Sequence, residues 1–236
     1  MVANLMNNQL KLPADYSPRV YIVDDDEAVR SSVTDLIDSM GFQADSFASA
    51  EEFFSETDNQ IRGCVLSDLR MLGCNGIELL KLMKSTGYEI PTIILSAYVD
   101  VSNTVAAMSE GALTVMEKPY SEQELWDSII AAILLDSEQR QGRCWLGEFQ
   151  RKVDRLTAGE SEVMQLLLKG KSNKSIGHIL DLSQRTIVMR RKSILQKFEV
   201  DNLIDLAKLI TKAQIIQQHL SPYSSMIDTE SFQQDS

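Results

Sequence analysis

Cysteine and histidine are scarce in this chain, with three cysteines (Cys64, Cys74, Cys144) and two histidines (His178, His219) among 236 residues. The cysteines are odd in number, scattered and without a CxxC pair, which speaks against a disulfide framework or a cysteine zinc site and leaves reduced thiols as the expectation. His178 has no second His or Cys near it, so it reads as a helix-surface residue rather than a ligand. Long apolar runs are absent too. IPTIIL and IIAAILL fall well short of the ~20 residues that a membrane span requires, and the polar start MVANLMNNQLK carries no signal-peptide core. A cytoplasmic protein with no membrane partner is expected.

Basic residues are also in the minority, 23 Lys and Arg against 34 Asp and Glu, for a net charge of -11. The deficit is not uniform. Residues 1–147 hold 10 basic and 23 acidic side chains, 148–213 hold 13 basic and 8 acidic, and 214–236 hold three acids with no Lys or Arg. The net charges are thus -13, +5 and -3. An acidic first part joined to a basic second part speaks for two small domains with separate partners, so overall acidity does not exclude nucleic acid.

From Arg19, short apolar runs alternate with helical spacing. Arg19 to Val23 reads as a buried strand ending in Asp24-Asp25-Asp26, with Asp26 as the cap of the helix that follows. That helix places Val29, Val33, Leu36, Ile37 and Met40 on one face and stops at Gly41. A short strand near Phe42 to Asp45 precedes the capping box Ser49-Ala-Glu-Glu52. The strand Gly63 to Ser67 ends at Asp68, Pro91 to Leu95 ends at Ser96, and Leu113 to Met116 runs into Glu117-Lys118-Pro119. Helices start at Asn75, near Val101 and at the capping box Ser121-Glu-Gln-Glu124, the last reaching at least Leu135. Alternating units of this kind predict a parallel sheet covered on both faces, with ligands bound beyond the carboxyl ends of its strands. In a flavodoxin-like strand order, Asp24, Asp25, Asp68, Ser96 and Lys118 then converge on one crevice. Crowded carboxylates repel and call for a cation, and an all-oxygen site suits Mg2+. Asp68 becomes a candidate nucleophile toward phosphorus.

VYIVDDDEAVR, SDLRMLGCNG, IILSAY and EKP, in this order and spacing, resemble the receiver domain of two-component response regulators. The resemblance implies Asp68 as phospho-acceptor, and Asp24 and Asp25 as direct or water-mediated Mg2+ ligands, with Asp68 and the backbone carbonyl of Arg70 as further ligands. It also implies Ser96 as the switch hydroxyl and Lys118 as the phosphate-pairing cation. Leu72 stands where the family usually has Pro, and Val115 where it has a switch aromatic. Arg70 and Tyr98 are bulky neighbours of the site and lead to the expectation of a long-lived phosphoryl state.

Beyond Leu135, a polar stretch to Arg151 reads as an interdomain linker with helical parts, and the rest contains only helical patterns. Thr157-Ala-Gly-Glu160 is a capping box for a helix carrying Val163, Leu166 and Leu167. A second helix begins near Asn173, Asp181-Leu-Ser183 makes a tight turn, and Gln184 to Phe198 forms a third helix bearing Arg185, Arg190, Arg191, Lys192 and Lys197. Asp201 is expected to cap a fourth. Two short helices around a tight turn, the second rich in cations, describe a helix-turn-helix.

LTAGESEVMQLLLKGKSNKSIGHILDLSQRTIVMRRKSILQKF resembles the LuxR-type helix-turn-helix, and with the receiver it matches the FixJ/NarL class of transcription factors. By that resemblance Lys174, Arg185, Thr186 and Arg190 hold DNA phosphates, while Val188, Met189 and Lys192 face base edges. Gly159 replaces a usual Arg, Val188 a usual polar residue and Arg190 a usual His.

The expected architecture is an α/β flavodoxin-like (βα)5 receiver over 18–136, preceded by an extension 1–17. A linker follows over 137–151, then a four-helix LuxR-type domain over 152–220 and a disordered tail 221–236. The expected function is a phosphorylation-activated DNA-binding regulator, not an enzyme, with a sensor histidine kinase and double-stranded DNA as partners. A phosphorylated homodimer and contact with RNA polymerase are further expectations. Two other readings stay open: a phosphorylation-independent DNA binder with a structural receiver, and a phosphatase using Asp68, for which the usual second acid is replaced by Arg70.

Overall fold

The computed structural model describes residues 12–98 and 100–220; the expected tail and the first 11 residues of the expected extension lie outside that range. The chain divides into two compact units between Glu138 and Gln139.

The first unit is built on five parallel strands, β1 (Arg19–Val23), β2 (Gln43–Phe47), β3 (Gly63–Asp68), β4 (Thr92–Ser96) and β5 (Ala112–Glu117), in the order β2-β1-β3-β4-β5. β1, β3 and β4 are almost wholly buried, as a sheet covered on both faces requires. The helices α1 (Glu27–Ser39), α2 (Ala50–Glu56), α3 (Gly76–Ser85), α4 (Val101–Glu110) and the start of α5 (Glu122–Asp154) follow the strands in turn. Their starts are the polar residues seen in the sequence: Asp26 accepts from the amides of Ala28 and Val29, Ser49 from Glu52, and Asn75 forms a reciprocal capping box with Glu78. One apolar layer joins Val20, Ile22, Leu66, Ile93 and Leu95 to Ile37 of α1 and to Leu125, Ile129 and Ile133 of α5. The opposite layer is centred on Phe53, which meets Phe47, Phe54, Tyr21 and Tyr88 edge-on or tilted.

Two boundaries differ from the sequence reading. Residues 12–17 are not a separate extension: Tyr16 is buried against the receiver core and its hydroxyl donates to Asp136 Oδ2 at 2.7 Å. Asp136, placed by the sequence at the polar edge of a linker, is fully buried and also accepts from the Gly63 amide at 2.9 Å. It ties the start of β3, the N-terminal segment and α5 together. The expected linker 137–151 is helical throughout, as part of the 33-residue α5.

The second unit contains the end of α5 with α6 (Ala158–Leu168), α7 (Asn173–Leu180), α8 (Gln184–Phe198) and α9 (Leu203–Leu220). Val163, Leu167, Ile176, Ile187, Ile194, Phe198 and Leu206 form its core, against which Phe149 and Val153 pack. The α7–α8 turn has Asp181 in the left-handed region and Ser183 accepting from the Thr186 amide at 3.1 Å. A side chain at Gly177 would lie 2.8 Å from the Leu182 carbonyl, so only glycine lets α7 approach this turn. Asn202, not Asp201, caps α9, accepting from the Asp205 amide at 3.0 Å. Ile179 is exposed and not part of the core.

Tyr16→Phe removes one donor from a buried carboxylate and should lower receiver stability by about 1.5 kcal/mol, read by urea denaturation of the full chain. A variant as stable as the parent would contradict the anchoring role of this bond.

Candidate functional site

The strand order brings the ends of β1, β3, β4 and β5 side by side, and the central contact is electrostatic. Lys118 Nζ lies 3.0 Å from Asp24 Oδ2 and 2.6 Å from Asp68 Oδ1. The remaining oxygens are held by backbone: Asp24 Oδ1 accepts from the Asp26 amide at 2.9 Å, and Asp68 Oδ2 from Arg70 at 2.7 Å. Asp25 Oδ2 accepts from the Leu72 amide at 2.8 Å, a bond that a proline at this position has no N–H to make. Burial pulls the Lys118 pKa down, but hydrogen bonds to Asp68 and Asp24 outweigh it and raise the pKa above the ordinary lysine value. The ammonium therefore stays charged at neutral pH.

Local packing fixes these positions. The Gly76 amide donates to the Leu69 carbonyl at 3.0 Å, and a side chain at Gly76 would come within 2.6 Å of the Asp68 carbonyl, so α3 starts directly against the end of β3. The Lys118 amide donates to the Ser96 carbonyl at 2.7 Å, and the Lys118–Pro119 peptide is cis.

Asp24, Asp68 and Lys118 are thus brought together, with Asp25 beside the loop that carries Leu72. The Ser96 hydroxyl donates to the Tyr98 carbonyl at 2.7 Å. Val115 packs with Leu69, Ile94 and Ala107 beneath this crevice. The side chains of Arg70, Leu72 and Tyr98 are exposed. Carboxylates and a carbonyl form a hard-oxygen donor set of the kind Mg2+ accepts. Among the described residues no three His, Cys, Asp or Glu side chains are gathered closely enough to make a ready metal cage; Lys118 supplies the positive charge between two of them.

Two neighbours were missed by sequence reasoning. Arg30, one turn beyond the cap of α1, donates to the Asp24 carbonyl at 2.7 Å. Tyr120 is half-buried, and its phenol pKa is raised chiefly by burial, with Lys118 lowering it and Asp24 and Asp68 raising it. Their signal is spacing, four residues past Asp26 and two past Lys118.

In the second unit, Lys174, Arg185, Val188, Met189 and Lys192 are exposed. Thr186 is half-buried, its hydroxyl 2.8 Å from that of Ser183. Arg190 is also half-buried and donates to the Gly159 carbonyl at 3.1 Å; a side chain at Gly159 would meet its guanidinium at 2.5 Å. The missing side chain at 159 therefore makes room for the large one at 190. Lys197, counted with the cations of α8, points inward to Glu160 at 2.6 Å and the Arg155 carbonyl at 2.8 Å. Glu160 accepts in addition from Ser193 and from the amide and hydroxyl of Thr157, and so binds the start of α6 to α8. Burial raises its pKa, but the bonds to Lys197, Ser193 and Thr157 prevail and lower it to about 2.

A doubly wound sheet with an acid–lysine crevice, followed by a cation-bearing helix-turn-helix, defines a regulator with separate receiving and DNA-binding domains. Comparison with known families agrees for each part: residues 20–130 match the response regulator receiver domain and residues 154–210 match the bacterial regulatory proteins of the luxR family. The chain belongs to the transcriptional response regulators of two-component systems that carry a LuxR-type DNA-binding domain. The transcriptional regulatory protein FixJ of Bradyrhizobium diazoefficiens is 35% identical over 197 residues, covering 84% of this chain and 96% of that one. The response regulator protein TodT of Pseudomonas putida is 31% identical over 200 residues, covering 85% and 88%. Among solved structures, the response regulator StyR aligns with a TM-score of 0.73 at 35% identity over 83% of this chain and 99% of that one. This is a family of DNA-binding transcriptional regulators.

Because the Glu160 pKa is lower folded than unfolded, its contribution to stability is present above the unfolded carboxylate pKa and is lost as pH falls toward 2. Glu160→Gln should cost α6 and α8 about 2 kcal/mol at pH 7 and flatten their pH dependence between about pH 5 and 2. Amide exchange of α8 in the full chain measures both; equal protection in parent and variant would contradict the role of Glu160.

Proposed function

We propose that Asp68 accepts a phosphoryl group from a sensor histidine kinase and that the aspartyl phosphate raises the affinity of the second unit for DNA. The observation that carries this reading is the sharing of Lys118 between Asp24 and Asp68. An oxygen of Asp68 attacks phosphorus in line, a P–O bond forms, and the P–N bond to the kinase imidazole breaks. Asp24, Asp25 and Asp68, with the Arg70 carbonyl, are the oxygens that would hold Mg2+, whose chemistry here is to neutralise phosphoryl charge.

The added charge on Asp68 competes with Asp24 for Lys118 and offers the Ser96 hydroxyl a stronger acceptor than the Tyr98 carbonyl. Exchanging the bond from Ser96 to Tyr98 moves the turn that leads into α4. With Val115 in place of an aromatic ring, this turn carries the signal. Val101, Val105 and Met108 are exposed on α4 and support it as a surface for a phosphorylated homodimer. Exposed Arg70 and Tyr98 beside the crevice are candidates for slowing hydrolysis of the phosphoryl group.

In the second unit, α8 enters the major groove. Lys174, Arg185 and Thr186 meet phosphates, Val188, Met189 and Lys192 meet base edges, and Arg190 shares its guanidinium between Gly159 and the DNA backbone. Control of transcription makes RNA polymerase a further partner, and access to kinase and DNA puts the work in the cytoplasm. Among the described residues no helix is long and apolar enough to cross a membrane.

The hydroxyl of Ser96, held by Tyr98, favours a second reading in which the receiver is structural and DNA binding is independent of phosphorylation. Acetyl phosphate with Mg2+ separates the two. The first predicts a mass gain of one phosphoryl group on Asp68, none in Asp68→Asn, and a rate reduced on the order of a hundredfold in Lys118→Met, which lacks the neutralising ammonium. An unmodified parent chain would support the second.

A further inference from the structure

The outward stripe of α8 runs through Arg185, Val188 with Met189, Lys192 and Gln196, one helical turn apart. Its centre is apolar: Val188 is 51% exposed and Met189 63% exposed, while residues before and after are cationic. Single exposed hydrophobics are ordinary on protein surfaces. Two adjacent ones in the middle of a cationic stripe, on the helix read above as entering the major groove, call for an apolar partner on the DNA.

In the major groove, base edges offer donors, acceptors and a single apolar group, the 5-methyl of thymine. Valine has no polar side-chain atom and methionine only a weak acceptor sulfur, so neither can satisfy a base-edge donor or acceptor. Placed against guanine, cytosine or adenine, they would strip water from polar groups without replacing its hydrogen bonds; placed against thymine, they bury a methyl. We propose that Val188 and Met189 read thymine methyl groups, so that each half-site carries thymine opposite the middle of α8. Val188, stiff at its branched Cβ, sets the stricter position; Met189, flexible and polarizable, tolerates more. This rests on the DNA-binding reading above and names the base it recognises.

The test uses the full chain and duplexes selected by it from random sequence. Thymines of the selected site are replaced singly by uracil, which keeps every hydrogen-bonding group and removes only the methyl. Affinity should fall about fourfold for each contacted methyl. Val188→Ala and Met189→Ala, surface changes on a helix, should each abolish the uracil effect at one position and leave the salt dependence of binding unchanged. Selective binding that is indifferent to uracil everywhere overturns the methyl reading and leaves DNA binding standing. A uracil effect that persists in both alanine variants overturns the assignment to these two residues. Failure to select any sequence overturns the DNA-binding reading and this one with it.

Discussion

Lys118 is shared between two carboxylates that would otherwise repel each other at the mouth of a buried sheet. At an effective dielectric of about 20, charges at these separations interact by several kcal/mol, much of which offsets the cost of holding them out of water. The strand ends bring Asp24 and Asp68 to one edge, and Lys118 between them offsets their repulsion. The sheet order places the end of β5 where one is needed, and the packing of Gly76 on β3 fixes where Asp68 stands. Lys118 Nζ makes two ion pairs at once, to Asp24 Oδ2 and to Asp68 Oδ1. The crevice is thus where the fold gathers opposite charges at the edge of its sheet.

The helical unit solves a related problem by the same means. Glu160, buried at the start of α6, is neutralised by Lys197 from the far end of α8. Because Ser193 and Thr157 satisfy the remaining lone pairs, the carboxylate can stay ionised and lock the orientation of the helix that carries the exposed cations. Gly159 and Arg190 are coupled nearby through space and one hydrogen bond. The bare backbone at 159 and the large side chain at 190 fit each other.

The alternating strands and the residues at their ends were legible because burial leaves a period in the sequence and because strand-terminal side chains must share one edge. Asp24, Asp68 and Lys118 followed from that rule alone. What escaped the reading depends on tertiary partners. Asp136 looks like the start of a polar linker until Tyr16 and Gly63, distant in sequence, are seen to bury it. Lys197 belongs by composition to a basic face, yet points inward because Glu160 waits there. The stretch 137–151 has polar residues and Gly142, but little that breaks a helix, and its aromatic residues Trp145 and Phe149 stack 5.5 Å apart along one side. Ser96 reached the expected place, while its hydroxyl chose the local Tyr98 carbonyl, a partner invisible to spacing.

For the proposed role of Asp68, the most direct measurement is the affinity of the full chain for a selected DNA site before and after stoichiometric phosphorylation. The account predicts a gain of roughly tenfold to a hundredfold, equivalent to about 1.4 to 2.8 kcal/mol of coupling. Equal affinity in the two states, with Asp68 verified as phosphorylated, would contradict it.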